Sequence, residues 1–133
     1  MKIIGFNLSK VLAEKKEKAP ERVQINQNID IKNIVKEKIP ISQNEILVLS
    51  FSFTISYSGD YAKIEFVGNI LLMPEKDELK NFLKSWKDKK IPDEARPPLF
   101  NFIMNKCNIK ALTLADDLGL PSHIPMPRIE PEK

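Results

Sequence analysis

ILVLSFSFTISY, residues 46–57, and YAKIEFVGNILLM, residues 61–73, are separated only by Ser-Gly-Asp at residues 58–60. In both stretches a large apolar side chain occupies nearly every second position, which is the period of a β-strand. Two such stretches joined by three small or polar residues predict a long antiparallel hairpin. The alternating apolar residues are Leu47, Leu49, Phe51, Phe53, Ile55 and Tyr57 in the first stretch, and Ala62, Ile64, Phe66, Ile70 and Leu72 in the second.

Two more strands are predicted before the hairpin, at residues 3–13 and 23–34. Both segments carry apolar side chains with a period of two, so each has one face suited to a core. Together with the hairpin they predict four strands. The residues that carry the pattern are Phe6, Leu8 and Leu12, with Lys10 as an exception, and Val23, Ile25, Ile29 and Ile31.

After Pro74 the apolar period changes from that of strands to that of helices. Residues 75–90 have a narrow apolar stripe with spacing i, i+3, i+4 and i+7, acidic residues at the start and lysines at the end, an order that suits the helix dipole. Residues 97–114 begin with two prolines, which are tolerated in a first helical turn, and are apolar on most sides. We predict two helices here, with Gly119 as a left-handed cap after the second. The stripe of the first helix is Leu79, Phe82, Leu83 and Trp86.

The length of 133 residues predicts one domain, residues 1–133, with a Pro-rich tail at residues 121–133. The net charge of +3 comes from 21 basic and 18 acidic residues that are mixed along the chain. Such mixing is typical of solvated surfaces and argues against a nucleic-acid partner. No apolar stretch approaches the roughly 20 residues of a membrane span, and the N-terminal residues do not resemble a signal peptide, so we expect a cytoplasmic protein without a membrane partner.

The sequence offers little material for catalysis. It contains no Gly-rich phosphate loop, no GxSxG and no HExxH motif. Cys107 lies in an apolar helical run and is expected to be a buried structural thiol. His123 lies among the prolines of the tail, and the adjacent Asp116 and Asp117 suit a polar helix end. We therefore predict a protein that is not an enzyme, with no catalytic residue, no metal site and no cofactor.

At the level of segment order the chain resembles the SecB protein-export chaperones from about Ile3 to Arg128. FNLSKVLAE resembles the family's first strand and is followed by a loop with Ala19-Pro20; VQINQNIDI resembles its second strand; and the hairpin resembles its central pair. PLFNFIMNKCNIKAL followed by GLPSHIPMP is similar to the family's helix that opens Leu-Phe-Pro-Tyr, ends in glycine and leads into Leu-Ala-Pro, with Asn101 in place of that proline.

The resemblance implies an α+β fold with a four-stranded antiparallel sheet and two C-terminal helices on one face. It also implies a tetramer built as a dimer of dimers, and a role in protein transport by binding extended apolar segments in surface grooves. The family delivers its cargo to the SecA motor through acidic residues near the end of the first strand. In this chain that stretch contains Lys10 and Glu14, which argues against a SecA contact.

Two functions remain open. The first is a non-catalytic, chaperone-like protein that holds unfolded or extended polypeptide. The second is an assembly or scaffold subunit that uses the same fold for one specific partner. Either fits a homo-oligomer, a dimer or a tetramer, because the row Val48, Ser50, Ser52, Thr54 and Ser56 has small side chains and almost no charge, which invites a partner subunit.

A polypeptide-binding surface must be apolar, partly exposed and adaptable. The candidates lie at the end of the hairpin, at the start of the second helix and in the tail, and two of them are methionines, whose flexible thioethers suit irregular ligands. The alternative is that all of them simply close the core. The candidate residues are Met73, Leu99, Phe100, Leu120, Ile124 and Met126.

Overall fold

A computed structural model of the chain describes residues 1–39, 44–58 and 60–124 and places four strands before two helices. The strands are β1 (Lys2–Lys15), β2 (Ile25–Lys38), β3 (Glu45–Tyr57) and β4 (Ala62–Met73). The helices are α1 (Lys76–Trp86) and α2 (Arg96–Asp117). The predicted α+β fold, with an antiparallel sheet followed by two helices, is confirmed.

The four strands form one antiparallel sheet in the order β1-β4-β3-β2. The chain must therefore cross from one edge of the sheet to the other between β1 and β2, and it does so past the turn of the hairpin. On one side of this turn, the Lys16 amide donates to the Tyr61 carbonyl (2.8 Å). On the other side, the hydroxyl of Ser58 accepts from the Gln24 amide and donates to the Arg22 carbonyl, both at 2.8 Å. The crossing leaves β1 and β2 as the two edge strands.

A β-bulge in β1 explains the exceptional position of Lys10. The register passes from Leu8 opposite Gly68 to Lys10 opposite Val67, so one residue is left unpaired between them. An extra residue reverses the alternation beyond it. Lys10 and Leu12 consequently lie on the face opposite to Leu8, and the prediction that Leu12 shares a face with Leu8 is wrong.

A second bulge, between Ile31 and Asn33, reverses the alternation in β2 in the same way. Its consequence is that Ile34 pairs with Leu49 and is buried, whereas Val35 turns to the other face and is exposed. The bulge keeps an apolar side chain against the core where a strict period of two would have placed Asn33.

Both helices pack on one face of the sheet, which we call the covered face, and contribute to a single core. The large apolar residues of β3 and β4 are almost all inaccessible to solvent on this face. Phe6 links the layers, since its ring lies 5.7 Å from that of Phe51 in the sheet and 5.7 Å from that of Phe102 in α2. The helical residues buried in the core are Phe82, Leu99, Ile103, Cys107, Ala111 and Ala115.

The helix ends follow from their local sequence. At the start of α1 the Glu78 carboxylate accepts from the Glu75 amide (3.1 Å). After α2, Gly119 has a φ of 67°, and the Leu120 amide donates to the Ala115 carbonyl (2.8 Å). This is a Schellman ending, as predicted for Gly119, and it turns the following apolar residue back onto the helix. No helix in the described ranges is long and apolar enough to cross a bilayer.

Candidate functional site

The two edges of the covered face meet different elements. On the β1 side, α2 lies over β4 and β1, with Phe102 packed edge-on against Phe6. On the β2 side, Ile29 and Ile31 remain only half-buried, and they are faced by the end of α1, the connection between the helices and the first turn of α2. This leaves an apolar opening along an edge strand.

The opening is a groove of about 160 Å³, which we call the β2 groove. Its apolar walls are Ile29 and Ile31 from the edge strand and Trp86, Ile91 and Phe100 from the opposite side. Trp86 and Phe100 are half-buried, so each ring packs against the core and still reaches solvent. Half-exposed aromatic rings beside an edge strand can contact the side chains of an extended peptide, while the free backbone of the strand can pair with its main chain.

The rim of the β2 groove is positively charged. Lys89, Lys90 and Arg96 line it. The one acidic residue of the lining, Asp30, lies opposite Ser52 in the strand register and forms an ion pair with Lys32 (2.8 Å). Two of the cations lie over the aromatic walls: the Lys89 ammonium is 5.1 Å from the centre of the Trp86 ring, and the Arg96 guanidinium carbon is 5.1 Å from the centre of the Phe100 ring. These are cation–π distances.

The connection between the helices is held in place by its own backbone. The amides of Lys89 and Lys90 donate to the carbonyls of Trp86 (2.9 Å) and Ser85 (3.1 Å). Lys89 has a φ of 59°, the left-handed conformation that normally favours glycine. The helix predicted over residues 75–90 therefore ends at Trp86, because this turn reverses the chain and brings Ile91 and Arg96 to the groove.

A second opening lies at the end of the sheet where β4 leads into α1. It has a volume of about 670 Å³ and contains Met73 and Leu79, but most of its other lining residues are polar or charged. Lys38, Glu45, Glu75 and Lys76 are among them. This end cleft is larger than the β2 groove and has fewer aliphatic and aromatic side chains in its wall.

The structure does not bring the predicted site residues together. Phe100 lies in the β2 groove and Met73 in the end cleft. Leu99 is 0% exposed and Leu120 is 7% exposed, so both close the core, Leu120 as the apolar residue of the Schellman ending. Ile124, the last described residue, is half-buried, and Met126 lies outside the described residues.

Sequence reasoning missed most of the β2 groove. The sequence assigns Ile29 and Ile31 to the apolar face of their strand and Trp86 to the apolar stripe of its helix, but it does not single out Ile91 or the cations. The usable signal was that the second strand has apolar residues on one face although it lies at an edge, but the strand order was needed to recognise the edge. The turn at Lys89 brings the connection back toward the strand, but it contains no glycine from which the sequence would predict it.

The outer face of the sheet is not covered by the helices and combines polar side chains with apolar ones such as Val35, Val48 and Leu71. Glu65 accepts from the Lys10 ammonium (2.6 Å) and also lies 3.4 Å from that of Lys63, and its pKa is lowered, mainly by the hydrogen bond from Lys10. The Ser50 hydroxyl donates to the Asn69 side-chain oxygen (2.9 Å). The row of small side chains from Val48 to Ser56 lies on this face, between the partners contributed by β2 and β4.

The titratable candidates do not form a reactive site. Cys107 is fully buried, and burial raises the pKa of its thiol to about 11, so it remains a protonated core residue as predicted. His123 hydrogen-bonds Asn108, with 2.7 Å between Nε2 and Oδ1. In residues 1–39, 44–58 and 60–124 there is no group of three His, Cys, Asp or Glu side chains that could hold a metal ion.

Comparison with known proteins finds a likeness in structure. No protein-family model matches the chain, and no curated protein matches it by sequence. The fold is similar to the solved SecB-like chaperone Rv1957 of Mycobacterium tuberculosis, determined in complex with a ChAD peptide from the Rv1956 HigA1 antitoxin. The match has a TM-score of 0.52 and 16% sequence identity and covers 98% of this chain and 92% of the other. The chain therefore has a SecB-like fold.

Proposed function

We propose that this protein is a non-catalytic, chaperone-like binder that holds unfolded or extended polypeptide in the β2 groove. The observation that carries the proposal is the half-open edge of the covered face, where Ile29 and Ile31 of an edge strand face the rings of Trp86 and Phe100. The similar fold of a SecB-like chaperone that was solved with a peptide supports it.

The geometry suits an extended ligand for two reasons. An edge strand presents unpaired backbone groups, so a peptide can pair with β2 as an additional strand without a particular sequence. The apolar walls beside that strand then receive side chains from one face of the peptide, which adds affinity in proportion to the apolar area buried. A buried thiol and a groove without a nucleophile–base pair among its described lining residues suit binding rather than catalysis.

Trp86 is the only tryptophan of the chain and lies in the groove wall, so its fluorescence reports directly on occupancy. We expect a tryptophan-free, unfolded client to change the emission of Trp86 in the unmodified protein. We also expect the protein to suppress the aggregation of unrelated unfolded clients, and Trp86→Ala with Phe100→Ala to lose most of that suppression.

The matched control is Ile109→Ala, which removes an apolar side chain that is 71% exposed on α2, outside the groove. Circular dichroism and thermal unfolding verify that each variant is folded. Suppression by the folded double variant at the level of the unmodified protein would refute the groove as the site. A protein that suppresses no aggregation, with Trp86 emission unmoved by every client, would refute the function.

A specific-partner function is the second candidate, and it rests on the solved neighbour, whose complex contains a peptide from a single antitoxin. An assembly or scaffold subunit could use the same groove for one segment of one protein. Breadth separates the two: a general chaperone protects several unrelated clients, whereas a scaffold subunit changes Trp86 emission only with its own partner.

We also propose that the protein forms a homo-oligomer, a dimer or a tetramer. The outer face offers small side chains, including Ser50, Ser52 and Thr54, that let another surface approach closely. The edge strand β2 adds Val35, which pairs with Val48 of this face and is 43% exposed. Light scattering at micromolar concentration is expected to give at least twice the mass of the chain, and a monomer mass would refute the proposal.

A further inference from the structure

We propose that the β2 groove prefers extended segments in which an acidic residue follows or precedes an apolar residue by two positions. This inference rests on the proposed function and specifies the chemical class of its ligand. It is carried by the charges at the rim of the groove and by their distances from the aromatic walls.

The first step is the charge balance of the rim. Lys89, Lys90 and Arg96 line the groove with one acidic residue, Asp30, which lies opposite Ser52 in the row of the outer face and is paired with Lys32. None of the three cations forms an ion pair with another described residue. A ligand carboxylate that enters the groove can therefore pair with these cations without breaking an ion pair between described residues.

The acidic residues of the connection do not cancel this charge. Glu94 lines a different opening, on the side of Met1 and Glu78. Asp88 and Asp93 are exposed and do not line the β2 groove. The rim thus keeps a positive potential that attracts carboxylates and repels ammonium and guanidinium groups.

The second step is spacing. In an extended chain, residues i and i+2 point to the same side and lie about 7 Å apart. Lys89 lies 5.1 Å from the centre of the Trp86 ring, and Arg96 lies 5.1 Å from the centre of the Phe100 ring. A ligand side chain that packs on one of these rings therefore brings the side chain two positions away within reach of the neighbouring cation, whereas the adjacent residue points away from the groove.

The third step concerns Lys89. Its left-handed backbone would be adopted more readily by glycine, yet a lysine occupies the position and holds its ammonium over Trp86. Unfavourable backbone conformations persist where the surrounding structure or a function requires them. In this position the Lys89 ammonium can contact a ligand that packs on the Trp86 ring.

The experiment uses four tryptophan-free peptides of equal length with the same apolar residues. Three carry Glu, Gln or Lys two positions from each apolar residue, and the fourth carries the Glu residues one position away instead. Binding to the full chain is measured through Trp86 emission and, independently, through the anisotropy of a labelled peptide. At low salt we expect the i+2 Glu peptide to bind about tenfold more tightly than the Lys peptide.

The matched variants are Lys90→Glu with Arg96→Glu in the groove and Lys80→Glu with Lys110→Glu outside it, which change the net charge equally. Glutamate at position 96 suits the first turn of α2, so the fold should tolerate the change. We expect the groove variant to lose or reverse the preference and the outside variant to keep it. The preference should also weaken as salt rises to about 0.5 M, because screening shortens the range of the rim charges.

The outcomes separate this inference from the proposed function. If the Gln peptide binds as tightly as the i+2 Glu peptide, or the Lys peptide binds more tightly, the inference is overturned and polypeptide binding stands. Equal affinity for the two Glu peptides would overturn the spacing argument. If no peptide binds and an oligodeoxythymidylate changes Trp86 emission instead, the inference and the proposed function both fail.

Discussion

The covered face of the sheet has two halves that are built from similar residues and are finished differently. At the β4 and β1 half, α2 lies over β4, and Phe66 and Ile70 are inaccessible to solvent. Phe6 and Leu8 at the β1 edge of this half are half-buried. At the β2 half, Ile29 and Ile31 have the same alternating pattern but meet only half-exposed rings. Alternation therefore identifies a side that must be covered, whereas the covering element decides whether that side becomes a core or a groove.

The difference has an energetic meaning. Burial of a large apolar side chain stabilises the fold by about 1.5–3 kcal/mol, and a half-buried one contributes less. The apolar area left exposed in the β2 groove therefore does not contribute to folding stability, but its burial by a ligand would contribute to binding. Variants in the closed β4 and β1 half and in the open β2 half test this contrast.

The largest effect is expected from matched Phe→Ala changes in the two halves. Phe66 is fully buried, and its ring centre lies 6.0 Å from that of Phe53. Phe66→Ala should lower the free energy of unfolding by about 3–5 kcal/mol, because it leaves a cavity in the core. Phe100→Ala should cost less than about 2 kcal/mol, because part of the ring already contacts water. Chemical denaturation measures both, and equal costs would contradict the contrast.

The next effect concerns how closely the strands of the closed half approach each other. A methyl group on Gly68 would clash with the backbone oxygen of Asn7, whereas one on Gly5 would meet the movable end of the Leu71 side chain at 2.8 Å. We expect Gly68→Ala to destabilise the protein by about 1–3 kcal/mol and Gly5→Ala by clearly less. Thermal unfolding of the two variants side by side checks this, and the reverse order would contradict the tight β1–β4 approach.

These contrasts show what the sequence could and could not predict. The strands and helices followed from apolar periodicity, because each element has to bury one side of itself. The bulges did not, because an extra residue such as the one between Leu8 and Lys10 is visible only once the partner strand is known. Periodicity alone therefore assigns Leu12 to the wrong face.

The groove was less predictable than the fold because its parts are distant in sequence. Phe100 was among the predicted residues, but Ile29, Ile31 and Trp86 join it only through the strand order and the turn after α1. Leu99 and Leu120 looked equivalent to Phe100 in the sequence. Leu99 lies one helical position before Phe100 and faces the core, and Leu120 is turned into the core by the Schellman ending.

A smaller effect is expected at the turn that forms the open half. Lys89→Gly should stabilise the protein by about 0.5–1 kcal/mol, because glycine adopts a φ of 59° without the steric cost that lysine carries. Lys90→Gly is the control, since its φ is not positive and glycine brings only added chain entropy there. The midpoint temperature of thermal unfolding should rise for Lys89→Gly alone. A lower midpoint would mean that the contact of Lys89 with Trp86 outweighs the backbone cost.

The smallest effect is expected at His123, where the tail closes against α2. Burial lowers the pKa of His123, and Nδ1 is buried without a hydrogen-bond partner in the described part of the chain, so the folded protein favours the neutral ring. A lowered folded pKa means that the unfolded chain binds the proton first. Stability should therefore be complete above the ordinary histidine pKa of about 6.5 and should fall slightly as the pH drops below it.

The control for this prediction is His123→Asn, which removes the titrating ring and keeps a polar side chain beside Asn108. Denaturant midpoints measured between about pH 7.5 and 5.5 should decline less in this variant than in the unmodified protein. The carboxylates contribute equally to both proteins over that interval, so the difference isolates the histidine. Identical pH dependence in the two proteins would mean that His123 titrates in the folded state as it does in the unfolded chain, and that the tail does not shield it from water.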